Sequence, residues 1–332
     1  MFRPSRSALL MATVTLAAGL VATPGAAYAA DTTTTTTTTL SGVEMAAALK
    51  TVATTSTAAA EGGWKATMSA VRGPATISTS YVVDPGRGIV VDQSDFGSGP
   101  TTEYAAAGKG KYTYMAFSKN FRAVVRMMGR PTVRHMFQPQ PTLKLEDHVE
   151  ATGPTFAKVL TEDVAYAGTK TVHDNGSADY KYSDDDGTTF TMQVGPAGTL
   201  AEVLVGSDGL SVTLTYAYGV PQATLPTAIS EKVWDQGMAY LAMRAAVKHV
   251  ASEAAADTSR TAQGRTVKVA ALRKIVRSWA TATNNNNRAG LKMIKVKDIS
   301  RGVRVYATNP WTHETVSYTV KASGRKAVVK SG

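Results

Sequence analysis

Ala178 to Pro226 reads ADYKYSDDDGTTFTMQVGPAGTLAEVLVGSDGLSVTLTYAYGVPQATLP. Four runs in it alternate apolar and polar residues, and Gly-bearing turns join them. Tyr180 and Tyr182 precede Asp184-Asp185-Asp186-Gly187, and Phe190, Met192 and Val194 follow it. Gly195-Pro196-Ala197-Gly198 leads into a strand through Leu204. Ser207-Asp208-Gly209 then leads to Leu210, Val212, Leu214 and Tyr216. A period of two puts one set of side chains on one face, and DG-type turns close hairpins. The expected product is an antiparallel meander with one apolar face and one wet face. That apolar face must be covered, by helices or by a ligand.

Upstream, more strands are expected at Trp64–Val71, Thr76–Val83, Gly88–Gln93, Thr101–Ala106 and Lys111–Phe117. Turn residues separate them: Pro74, Pro85-Gly86, Gly97 to Pro100, and Gly108 to Gly110. Val43 to Ala60 reads as a helix, with Met45, Leu49 and Val52 on one stripe. Asn120 to Met128 reads as a second, capped by Asn120 and stopped by Gly129-Arg130-Pro131. Its stripe is Phe121, Val124, Val125 and Met128. Phe156 to Leu160 is a short third, and the sheet is expected to resume at Val164. The order helix, strands, helices, strands points to one long antiparallel sheet with helices inserted on one face.

The termini set the compartment and the domain count. Arg3 and Arg6, the apolar run Ala8 to Ala22, and Ala27-Tyr28-Ala29 form the three parts of a secretory signal, so residues 1–29 are read as a signal peptide. Residues 30–41, with their run of threonine, are expected to be a disordered linker. The mature protein is then expected to be soluble and extracytoplasmic, in the periplasm, in the cell wall or secreted. From Asp31 to Ala228 the net charge is −4, and from Ile229 to Gly332 it is +13. This split sets a mildly acidic domain at 42–228 against a basic one at 229–332. In the second domain, Glu231–Ala256 and Thr266–Ala282 read as helices. Short strands are expected near 291–297, 303–308, 314–321 and 326–330, which makes a smaller α+β unit.

Three features stand out in the first domain: Gly110-Lys111-Tyr112, Met128-Gly129-Arg130-Pro131, and the closing pattern from Val212 to Pro221 with Leu225-Pro226. In these the domain resembles the LolA/LppX-like superfamily of bacterial lipoprotein and lipid carriers. The resemblance covers about Ser41 to Ala228 and implies a strongly curved sheet, a half-barrel, plugged by helices, with lipid between the two. The chain has no cysteine. The lipobox cysteine usual in the cell-wall members is therefore absent, and no acyl anchor can form on it. A carrier must offset the cost of exposing an acyl chain to water, about 0.8 kcal/mol per CH₂ and roughly 10 kcal/mol for a long chain. The candidate lining residues are Trp64, Met68, Ile77, Tyr81, Met115, Phe117, Phe121, Met128, Phe190, Met192 and Leu214. Either they line a cavity, or they pack on each other. The helix Phe121–Met128 is the expected gate.

Lys268, Arg273, Lys274 and Arg277 crowd one helix of the basic domain. They are read either as a solvated face or as the contact for an anionic membrane or wall polymer. Nucleic acid is not an expected partner of a secreted protein, and a monomer is expected. His135, His148, His173, His249 and His313 lack metal-ligand spacing, and no cofactor is expected. Asp184-Asp185-Asp186-Gly187 lacks the alternate-residue spacing of a calcium loop. No GxSxG, HExxH or phosphate-binding loop occurs, so the chain is read as non-enzymatic. The leading reading is a soluble carrier or sensor of lipid, acyl chains or lipoprotein. The other is an extracytoplasmic interaction or signalling module without lipid cargo.

Overall fold

The computed structural model describes residues 35–97, 99–161, 166–219, 222–286 and 290–332. The signal segment, the start of the threonine tract, Val164, and Val220 with Pro221 lie outside the described residues. In chain order the strands are β1 (Thr36–Leu40), β2 (Trp64–Arg72), β3 (Ala75–Asp84), β4 (Ile89–Asp95), β5 (Thr101–Ala106) and β6 (Gly110–Tyr114). Then come β7 (His135–Pro139), β8 (Gly168–Val172), β9 (Ala178–Ser183), β10 (Thr189–Val194), β11 (Leu200–Ser207) and β12 (Leu210–Tyr218). The last are β13 (Ala228–Ser230), β14 (Lys295–Ile299), β15 (Gly302–Thr308), β16 (Thr315–Ser323) and β17 (Lys326–Ser331). The helices are α1 (Gly42–Ala59), α2 (Lys119–Met127), α3 (Leu145–Thr152), α4 (Phe156–Leu160), α5 (Glu231–Leu241), α6 (Met243–Thr261) and α7 (Val269–Asn285).

The expected class, α+β with a large curved sheet and a smaller helix-plus-meander part, is borne out. Contacts divide the chain into two compact units. One holds the residues up to Thr113 together with Pro139–Pro226; the other holds Tyr114–Gln138 together with Thr227–Gly332.

The first unit is a sheet in the order β1-β8-β9-β10-β11-β12-β2-β3-β4-β5-β6. Each of these neighbours pairs antiparallel. The meander folds as its alternation demands: Phe190, Met192 and Val194 are buried along β10, and Val212, Leu214 and Tyr216 along β12. Asp184 makes the first hairpin turn, its Oδ1 accepting from Asp186 N at 3.0 Å and Thr188 N at 2.8 Å. α1 starts at a capping box, in which Glu44 Oε2 accepts from Ser41 N at 2.8 Å and Ser41 Oγ accepts from Glu44 N. It buries Met45, Leu49, Val52 and Ala53. Ser56 is buried on the same stripe, where its Oγ accepts from Leu200 N at 2.9 Å. This bond ties the helix to the start of β11, where a bulge between Gln193 and Val194 breaks the ladder.

The stretch 30–41, expected as a linker, is a strand in its second half. β1 pairs in register with β8, from Thr36 opposite Val172 to Leu40 opposite Gly168. Threonine is β-branched and favours extended backbone, and the open edge of β8 supplies the partner. On the other side of β8, Gly168 permits a close approach to β9 and α1. A Cβ there would overlap the Lys181 carbonyl oxygen, the Met45 methyl group and Tyr182.

The second unit contains the segment 114–138, which the sequence order had put inside the sheet domain. α2 is capped by Ser118, whose Oγ accepts from Phe121 N at 3.3 Å, and not by Asn120. Phe121, Val124, Val125, Val133, Met136 and Ile229 form one buried cluster, with Met128, Trp234 and Met238 packed against it. β7 and β13 pair in parallel, His135 opposite Ala228. The expected helix Glu231–Ala256 breaks at Ala242 into α5 and α6. α6 and α7 pack on one face of the antiparallel sheet β14-β15-β16-β17. That core is Val247, Val250, Leu272, Val276, Val303, Val305 and Val320, with alanines between them.

Candidate functional site

Residues directly opposite in an antiparallel ladder share a face, so the registers assign the inner face of the large sheet row by row. One row runs Tyr180, Met192, Val203, Leu214, Met68, Thr79, Ser94, Thr101. The row on one side runs Tyr182, Phe190, Val205, Val212, Ala70, Ile77. On the other side lie Tyr216, Ala66, Tyr81, Asp92, Glu103, and beyond them Tyr218, Trp64, Val83, Val90, Ala105, Lys111. Trp64, Met68, Ile77, Tyr81, Phe190, Met192 and Leu214, expected to line a cavity, thus stand on one face of one sheet.

Met115, Phe117, Phe121 and Met128 do not join them. Phe121 and Met128 pack with α5 residues, the Phe121 ring 5.7 Å from that of Trp234. Met115 lies against the same cluster, and Phe117 is 69% exposed. The expected gate is therefore a helix of the second unit. Apolarity made Phe121 a lining candidate, but it does not say which layer a side chain enters. Charge carried the missing signal. Residues 114–138 hold Lys119, Arg122, Arg126, Arg130 and Arg134 and no acidic residue. Counted with the basic unit they move the split from −4 and +13 to −9 and +18.

α1 and α4 contribute Met45, Leu49, Val52, Phe156 and Leu160 to the core under the sheet. At its centre the rings pack on one another. Trp64 lies 5.6 Å from Tyr81, 5.5 Å from Phe156 and 6.1 Å from Tyr216, and Phe156 lies 4.9 Å from Tyr216. The phenols bond backbone carbonyls: Tyr216 donates to Pro154 O and Tyr218 to Leu200 O, each at 2.8 Å. Burial raises both hydroxyl pKa values. Thr155 Oγ1, between Pro154 and Phe156, is buried without a hydrogen-bond partner among the described residues. Away from this cluster the rows open, and Met68, Ala70 and Ile77 are half-buried.

The inner face becomes polar toward β4 and β5. Asp92 and Glu103 are directly opposite each other, with Tyr81 opposite Asp92 on the other side. Burial raises the Asp92 carboxyl pKa, against a hydrogen bond from Ser94. Burial and then the Asp92 charge raise that of Glu103, with Lys111 opposing. Tyr81 is pushed up to about 12, chiefly by burial. Thr152 Oγ1 donates to His148 O at 2.9 Å, which leaves it to accept from Tyr81 Oη at 2.8 Å. This bond anchors the end of α3 to the sheet. Burial, and then the Lys111 charge, lower the pKa of the His148 imidazole on α3. Among the described residues no group of three His, Asp or Glu side chains could hold a metal ion. The arrangement offers an apolar surface with protonatable polar groups at its margin.

In the second unit, two of the four expected anion-contact residues have internal partners. Arg277 bonds Asp298 at 2.6 Å, and Arg273 reaches Ile299 O at 3.1 Å and Asp298 at 3.6 Å, which ties α7 to β14. Lys268 and Lys274 are exposed.

No protein-family model matches the chain, and no curated protein matches it. The crystal structure of LprF from Mycobacterium bovis is similar over 55% of this chain and 97% of its own, at 14% sequence identity and a TM-score of 0.27. At that similarity nothing of LprF's chemistry transfers to this chain.

Proposed function

We propose that the first unit binds a lipid or acyl chain and acts outside the cytoplasm as a non-enzymatic carrier or sensor. The observation that supports this most is the graded inner face of the sheet. Half-buried Met68, Ala70 and Ile77 continue the apolar rows beyond the ring cluster, and Ser94, Asp92 and Glu103 follow across the strands. An amphiphile has the same grading: its chain removes apolar surface from water, and its head finds hydrogen-bonding groups. The carboxyls accept hydrogen bonds from such a head, and burial raises the pKa of both. Exchange through α2 is not part of this reading. α3 is the better gate, because it crosses the polar margin and is held there by the Tyr81–Thr152 bond.

The test is native mass spectrometry of natively purified protein, together with binding of a fluorescent fatty acid. An added lipid mass and saturable probe binding are expected, and Ile77→Glu should weaken the probe by at least about tenfold, since it buries a charge beside the chain. Protein that carries no lipid and binds no probe sinks the proposal. That outcome would favour the interaction or signalling module, a reading supported by the mutual packing of Trp64, Phe156 and Tyr216. Pull-down of a membrane-protein ectodomain without lipid would then be the next expectation.

A further inference from the structure

The four-stranded sheet of the second unit has a face of a single sign. Val303, Val305, Ala307, Val316, Val320 and Ala322 point one way and are buried in its core. The registers put the alternate residues on the other face. One row crosses all four strands as Lys297, Arg304, Thr319, Lys330. Beside it lie Lys295, Tyr306 and Ser317, and on the other side Lys321 and Val328, with Lys326 beyond. All six cations are exposed. From Leu291 to the last residue the only carboxylate side chains are Asp298 and Glu314. Asp298 lies opposite Val303 and is held by Arg277 and Arg273 of α7. Glu314 precedes β16 and pairs with Arg244 at 2.9 Å. No acidic side chain of these strands therefore shares the face with the cations.

This arrangement costs stability. Lys297 and Arg304 are directly opposite, and like charges in that position repel. A face serving solubility alone is better built from mixed signs. Arg304 is also held in place: its guanidinium bonds Ser317 Oγ at 3.1 Å and lies 5.5 Å from the Tyr306 ring centroid. The cations spread in two dimensions over strands about 4.8 Å apart, so the array is roughly 15 Å across. A linear polyanion needs a track, whereas a planar anionic surface meets all the charges at once. Val328, 40% exposed among them, suits the headgroup layer.

We propose that the outer face of β14–β17 docks on an anionic lipid surface. The site is separate from the acyl-binding face in the first unit and does not depend on it.

The test is flotation of the full chain with vesicles of phosphatidylglycerol in phosphatidylcholine, at low and high salt. Binding is expected to the anionic vesicles, to weaken with salt, and to be absent from pure phosphatidylcholine. Each cation near such a surface is worth about a fivefold factor. Lys297→Ala/Arg304→Ala/Lys330→Ala should therefore lose on the order of a hundredfold. Lys268→Ala/Lys274→Ala, exposed at the N-cap and on the first turns of α7, should stay near the wild type. If the triple variant melts abnormally, Thr319→Glu in the same row is read instead and should weaken binding about fivefold. Ile77→Glu should bind the vesicles normally, which separates this proposal from the failure of acyl binding. The proposal is overturned if the triple variant binds like the wild type, if the α7 variant loses as much, or if soluble polyphosphate binds more tightly than the vesicles.

Discussion

Between the large sheet and its helices the first unit buries Trp64, Tyr81, Phe156, Tyr180, Tyr182, Phe190 and Tyr216. Between α6, α7 and the four-stranded sheet the second buries valine, alanine, leucine, isoleucine and methionine, and its rings, Tyr240, Trp279 and Tyr318, are only partly buried at the margin. Small residues let a helix lie close on a sheet and leave little to rearrange. Rings hold the two layers further apart, and their polar tips need bonding partners, as Tyr216 finds at Pro154 and Tyr218 at Leu200. A wide aromatic layer is the one a flexible apolar ligand can share. The valine and alanine layer is suited to presenting a rigid outer face.

The sharpest way to break this contrast is to empty each core once. Trp64→Ala removes the ring that meets Tyr81, Phe156 and Tyr216, and should cost about 3–5 kcal/mol. Val305→Ala, fully buried in the other core, removes far less volume and should cost about 1–2 kcal/mol. Urea denaturation of both variants gives the comparison. Equal losses would mean that the ring layer already tolerates vacancies and is not held by mutual ring packing.

The next test concerns where one core ends. The meander was legible because alternation and turns at Gly187 and Gly209 report one face directly, and α1 because Met45, Leu49 and Val52 repeat at helical spacing. The inner-face part of the site followed from the same alternation. The strand Thr36–Leu40 was not legible, since a run of one residue type has no face to read. The placement of α2 was not legible from its apolar spacing, because the partner that decides it lies far along the chain and only the charge of residues 114–138 bears on it. Gly237 on α5 supplies that contact: a Cβ there would overlap a Val124 methyl group on α2. Gly237→Val should force the helices apart and cost about 1–3 kcal/mol. Hydrogen exchange should then rise in Lys119–Met127 and Glu231–Leu241 while β9–β12 stay protected. Lost protection in β9–β12 instead would return α2 to the first unit.

The smallest effect expected is at the polar margin of the ring-rich unit, and it runs with pH. The Asp92 carboxyl has its pKa raised by burial, and the opposite Glu103 is raised by burial and by Asp92. A carboxyl raised in the folded state holds its proton more tightly there than in the unfolded chain. Stability from this pair is therefore greatest at low pH. It declines as pH rises from the ordinary carboxylate range, about 4, through the raised folded values. Asp92→Asn keeps the shape, removes one charge and relieves Glu103. Its melting temperature should exceed the wild type's at pH 7, with the difference closing toward pH 4. Val247→Ala in the second core, which touches no titratable margin, should lower the melting temperature by the same amount at both pH values. If Asp92→Asn instead melts lower at pH 7, the ionised carboxylate is a stabilising member of the margin, and the graded inner face loses its protonatable end.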